Sequence, residues 1–119
     1  MNEILVVEDD KSIRDLLSEL LVNEGYKTVV ASNGEEALQY LKNSTVNVKL
    51  ILLDLMMPVK DGYQMSKEMQ GDPSLAEIPV IIMSAAAQLA IAEKKIPSKA
   101  SIEKPINTDV LMQAVKQWY

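Results

Sequence analysis

Five short strand-forming runs, each separated from the next by a helical pattern, constrain this chain more than any other feature. They are EILVV (3–7), KTVVA (27–31), KLILL (49–53), PVIIM (79–83) and ASIE (100–103). Most are continuously apolar rather than alternating, as expected of strands covered on both faces. Between them, residues 11–24 place Ile13, Leu16, Leu17, Leu20 and Leu21 at helical spacing, and Gly25 follows as a stop. Residues 34–43 carry Ala37, Leu38 and Leu41 on one face behind Asn33, an N-cap by residue type. Residues 62–70 bring Met65 and Met69 into register as core fillers; Asp61-Gly62 opens that helix and GDP at 71–73 breaks it. A last helix begins at Asn107 and buries Leu111, Ala114, Val115 and Trp118.

Strand and helix thus alternate five times with short connections, the pattern of parallel strands joined by right-handed helical crossovers. The chain reads as one α/β domain over residues 1–119: a doubly wound five-stranded parallel sheet in the flavodoxin-like order 2-1-3-4-5, with helices on both faces. No apolar run approaches the roughly 18 residues of a membrane span and no basic-then-apolar leader opens the chain, so a cytoplasmic location is expected and no membrane partner. A net charge of −5 disfavours direct contact with nucleic acid.

In such a sheet, ligands gather outside the carboxyl ends of the strands. The first run is followed by Glu8, Asp9 and Asp10, the third by Asp54, the fourth by Ser84 and the fifth by Lys104; the outer second run offers only Ser32 and Asn33. Carboxylates crowded together need a cation, since two unit charges 4 Å apart repel by roughly 4 kcal/mol at an effective dielectric of about 20. With no histidine or cysteine in the chain, the cluster suits Mg²⁺ or Mn²⁺ rather than zinc. An acidic metal pocket facing a lysine and a hydroxyl is arranged to hold a phosphoryl group, with one carboxylate as nucleophile.

VVEDD after the first run, LLDLMMPVKDG at the third, IIMSA at the fourth and IEKP at the fifth resemble the receiver domains of bacterial two-component response regulators, in order and spacing over the whole chain. The resemblance implies that Asp54 is the phosphoacceptor, that Asp9 is a direct Mg²⁺ ligand and that Glu8 acts through water. It further implies Met56 as a ligand through its backbone carbonyl, Ser84 as the hydroxyl that bonds the phosphoryl group, and Lys104 as the phosphate-binding lysine before a cis Lys104–Pro105 bond. Asp10 is assigned to capping the first helix. The implied phosphodonor is a histidine kinase or phosphotransfer protein, and the implied receiver of the signal is a downstream protein or output domain. The only catalysis expected is of the chain's own phosphorylation and dephosphorylation.

Two departures from the family pattern bear on output. Many receivers carry an aromatic ring three residues before the lysine, where this chain has Ser101, so signal cannot leave by swinging a large ring. Lys104 follows Ser84 by 20 positions, which is short for the family, so the fourth helix is expected to be short or displaced. Met56 and Ala86, two places beyond Asp54 and Ser84, are apolar and cannot orient a hydrolytic water, which predicts slow self-dephosphorylation. The alternative is a receiver-like interaction module that works without phosphorylation. A dinucleotide carrier would lack its G-x-G-x-x-G, and a phosphohydrolase would find Met56 where its second acid belongs.

Overall fold

A computed structural model describes residues 2–43 and 47–119. Ten elements alternate along it: β1 (Asn2–Val7), α1 (Lys11–Asn23), β2 (Lys27–Ala31), α2 (Gly34–Asn43), β3 (Asn47–Asp54), α3 (Gly62–Gln70), β4 (Val80–Ser84), α4 (Ala86–Lys95), β5 (Ala100–Glu103) and α5 (Thr108–Trp118). The strands form one parallel sheet in the order β2-β1-β3-β4-β5. No helix among the described residues is long and apolar enough to cross a membrane.

The continuous apolar runs are explained by two cores. Alternate residues of the central strands, Leu5, Val7, Ile51, Leu53 and Ile82, pack with Ala37 and Leu38 of α2, Met65 and Met69 of α3, and Leu89 and Ala92 of α4. The intervening residues, Ile4, Val6, Leu50, Leu52, Ile81 and Met83, pack with Leu17 and Leu21 of α1 and with Leu111 and Val115 of α5. Each fully buried aliphatic side chain contributes about 1.5–3 kcal/mol, more than a helix cap, so burial on both faces sets the sheet.

Caps then set where the helices start. Asp10 accepts from Ile13 N at 3.2 Å ahead of α1, Asp61 and Gln64 form a reciprocal capping box at α3, and Asn107 accepts from Asp109 N and Val110 N at α5. Asn33 accepts from Glu36 N at 2.9 Å at the start of α2. Gly25 takes φ +92° just past α1, a backbone that favours glycine.

Several elements differ from the sequence reading. β3 and β4 each run one residue further, so Asp54 and Ser84 are the last strand residues rather than the first loop residues. α5 begins at Thr108 with Asn107 as its cap, and Ala114 and Trp118 are only partly buried. Leu16 is half exposed on α1, because the buried stripe there narrows to Leu17 and Leu21. The fourth helix is not short: α4 has ten residues, as many as α2, because its alanine-rich sequence propagates a helix as far as Ile96.

Candidate functional site

Strand register brings the polar residues together. Val7 pairs with Leu53, so the next residues along β1 and β3, Glu8 and Asp54, stand side by side. That alignment depends on a one-residue shift lower in the same pair, where Glu3 faces Val48 but Ile4 faces Leu50. Had the Glu3–Val48 register continued without the shift, Glu8 would stand beside Leu53 and Asp54 would overshoot it. On the other side Asp54 pairs with Met83, Ser84 pairs with Glu103, and Lys104 N bonds Ser84 O at 2.9 Å.

Glu8, Asp9, Asp54, Met56, Ser84 and Lys104 all line one open cavity of about 320 Å³, together with Asp10, Ile13, Ala85 and Gln88. Glu8, Asp54 and Ser84 are buried, Asp9 and the Met56 side chain are exposed, and Lys104 is intermediate. The Lys104–Pro105 peptide bond is cis. Lys104 Nζ donates to Glu8 Oε1 at 2.8 Å and to Asp54 Oδ1 at 3.1 Å. Ser84 Oγ donates to Gln88 Oε1 at 2.7 Å. Ala86, by contrast, is exposed on the first residue of α4 and is not among the residues lining the cavity. Ser101 is half-buried on β5 opposite Ile82.

Glu8, Asp9 and Asp54 each offer an oxygen within 4.8 Å of the others. Fully ionised, three carboxylates against one ammonium leave two negative charges in the pocket. Burial, with the negative charge of Glu8 second, raises the Asp54 pKa to about 7, against the opposing pull of Lys104. Burial works against the Lys104 cation, but Glu8 and Asp54 together outweigh it and hold its pKa above the ordinary lysine value. An all-oxygen donor set with surplus negative charge fits a hard divalent cation.

The surrounding backbone fixes these positions. Arg14 Nη1 donates to Glu8 O at 2.9 Å and to Asp9 O at 3.4 Å, bracing the turn that carries both acids. Asp10 N donates to Glu8 Oε2 at 3.2 Å while its own side chain caps α1, the capping role expected of it. Gly62 N bonds Leu55 O, and a Cβ at Gly62 would lie 2.9 Å from Asp54 O, so only glycine lets α3 start this close to the end of β3. Arg14 and Gln88 escape the sequence reading. Arg14 falls in the first turns of α1 with no motif to mark it, and Gln88 is one polar residue in an alanine-rich tract.

The response regulator receiver domain pattern matches residues 4–116. Sporulation initiation phosphotransferase F of Bacillus subtilis (strain 168) is 36% identical over 121 residues, covering 99% of this chain and 94% of its own. The transcriptional regulatory protein CpxR of Klebsiella pneumoniae is 45% identical over 85 residues, covering 71% of this chain and 34% of its own, so the chain spans about a third of that relative's length. The crystal structure of the response regulator TrrA from Thermotoga maritima, in complex with Mg²⁺–BeF, superposes with a TM-score of 0.86 at 32% identity over 100% of both chains. With strand order, site geometry and sequence in agreement, this chain belongs to the receiver domain family of response regulators.

Proposed function

We propose that this chain accepts a phosphoryl group on Asp54, in a reaction that needs Mg²⁺ or Mn²⁺, and so acts as a switch in two-component signalling. The observation that carries the reading is the convergence of Glu8, Asp9 and Asp54 within 4.8 Å around a single bridging lysine. Glu8, Asp9, Asp54 and the Met56 backbone carbonyl would hold the cation, Glu8 through water. Once bound, the cation would neutralise negative charge on the phosphoryl oxygens.

Asp54 Oδ attacks phosphorus, and the electron pair of the broken bond leaves with the donor. The strand fixes the nucleophile, because Asp54 is buried, pairs with Met83 of β4 and follows Leu53, which pairs with Val7 of β1. Attack requires the ionised carboxylate, which Lys104 favours at 3.1 Å. Once the aspartyl phosphate forms, Lys104 offers its charge to one phosphoryl oxygen and Ser84 its hydroxyl to another. The donor class is a histidine kinase or phosphotransfer protein. The consequence is a population shift of the α4–β5–α5 surface toward a form that a downstream protein or output domain recognises. The convergence of the whole acceptor set works against a docking module that never carries phosphate.

Incubation with Mg²⁺ and a small-molecule phosphodonor is expected to give a one-phosphoryl mass gain that Asp54→Asn abolishes. No adduct under conditions that label another receiver, or an adduct that survives Asp54→Asn, overturns the reading.

A further inference from the structure

Ser84 lines the same cavity as Asp54, but its hydroxyl is engaged elsewhere. Its hydroxyl donates to the side-chain oxygen of Gln88 at 2.7 Å, across the junction between β4 and the first turn of α4. Ser84 is buried, so water competes little for that bond, and a serine hydroxyl has one proton to give. It cannot donate to Gln88 and to a phosphoryl oxygen on Asp54 at once.

The junction is otherwise lightly held. The N-termini of α1, α3 and α5 are capped by the side chains of Asp10, Asp61 and Asn107, whereas α4 starts behind Ala85 with no side-chain cap. Only Leu89 and Ala92 of α4 are buried. Gln88 lines the same cavity as Asp54 and Lys104. Ser101, on the strand beside β4, has no ring to rotate.

Building on the phosphoacceptor reading above, we infer that Gln88 is a positioning residue: it holds Ser84 in the resting orientation, and phosphoryl occupancy of Asp54 takes Ser84 away and frees the first turn of α4. The Ser84–Gln88 bond competes with the Ser84–phosphoryl bond, so removing it favours the occupied form. Gln88 is half-buried, so its side-chain oxygen, once released, can turn to water. The output then leaves through the start of α4 rather than through a swinging side chain on β5.

The test is a double-mutant cycle read by titrating the chain with Mg²⁺–beryllofluoride, a phosphoryl mimic, and by hydrogen exchange. Gln88→Met keeps length and helix propensity without a strong acceptor, and Gln88→Ala removes the side chain. Both are expected to bind the mimic about fivefold more tightly, the weight of one ordinary hydrogen bond. In a Ser84→Ala background neither change is expected to matter. Amides 86–89 of unliganded Gln88→Met should already exchange at the rate that wild type reaches only when saturated. Unchanged or weaker affinity overturns the inference, as does an equal gain in the Ser84→Ala background or a gain from Gln88→Ala alone. Those outcomes leave the phosphoacceptor reading intact. A wild-type chain that neither binds the mimic nor takes a phosphoryl label overturns both.

Discussion

A buried glutamate stands near the start of β1 and another just past its end, and the two have opposite surroundings. Glu3, at the amino end, meets Lys27 Nζ at 3.3 Å and accepts a hydrogen bond from the Tyr40 hydroxyl. Among the described residues, that one acid has one cation and one further donor. Glu8, at the carboxyl end, shares Lys104 with Asp54 and has Asp9 within reach. Among the described residues, the three clustered carboxylates there have one ammonium in ion-pair contact, while Arg14 is spent on backbone carbonyls. The first arrangement serves structure; the second is short of positive charge, and a cation and a phosphoryl group would complete it. The ratio of acids to cations separates the two ends, since burial alone does not: Glu3 is 2% exposed and Glu8 0%.

Replacing each lysine tests the contrast most severely. Lys104→Met is expected to slow phosphoryl acceptance by a small-molecule donor about 100-fold, the usual consequence of removing a group that meets charge developing in the transition state. Lys27→Met should leave that rate unchanged, because Lys27 lies at the opposite end of the sheet and pairs there with Glu3. Time courses of the mass gain compare the two. Equal losses from both substitutions would mean that the effect is general destabilisation.

Neutralising one acid at each end should change stability in opposite directions. The Asp54 pKa is raised from its ordinary 3.8 to about 7, so the folded chain binds that proton more tightly than the unfolded one. The sign follows from linkage: this contribution is fully present below about pH 4 and is lost as pH rises through 7. At pH 8 in EDTA, Asp54→Asn should therefore be more stable than wild type. The expected gain is about 2 kcal/mol, after discounting the full shift for solvent at the open cavity. At pH 4 the gain should vanish, and Mg²⁺ at pH 8 should stabilise wild type and not the variant. Glu3→Gln should lose about 1 kcal/mol at pH 8, since it gives up an ion pair with a half-exposed lysine. Urea titrations at the two pH values measure all of these.

The two ends were not equally legible in sequence. Four strand-end motifs announced the carboxyl end because their residue types are chemically unusual after apolar runs, and helix caps at Asp10 and Asn33 followed from local residue preference. Glu3 gave no comparable signal, because an acid at a strand's start reads as solvated until Tyr40 and Lys27 are folded against it. The register shift that brings Glu8 beside Asp54 was equally hidden, since hydrogen-bond pairing between distant strands leaves no local mark. Arg14 and Gln88 act through side-chain bonds that tertiary structure alone creates. The length of α4 was misjudged because spacing between motifs does not say how a segment divides between helix and loop.

Backbone strain also distinguishes the ends. Among the described residues Val59, in the loop after Asp54, is the one non-glycine residue at positive φ, +67°. A β-branched residue there costs roughly 1–2 kcal/mol, and Val59 is 79% exposed, so its side chain loses little packing when removed. Val59→Gly should stabilise the chain by about 1 kcal/mol net of the entropy glycine adds to the unfolded state. A loss of stability in urea would show that the loop needs the valine for a reason other than backbone shape.

The smallest expected effect concerns the lifetime of the phosphoryl group, and it separates the two apolar positions picked out in the sequence. Met56 lines the cavity, whereas Ala86 is exposed and does not. An amide at position 56 can hold a water for attack on phosphorus, and a thioether cannot. Met56→Asn should therefore shorten the half-life of the adduct roughly threefold to fivefold, about one hydrogen bond's weight. Ala86→Asn should change it less, because its side chain starts outside the cavity. If the Ala86 substitution shortens the half-life more than the Met56 substitution, the water approaches from the α4 side, and Met56 does not shield the phosphate.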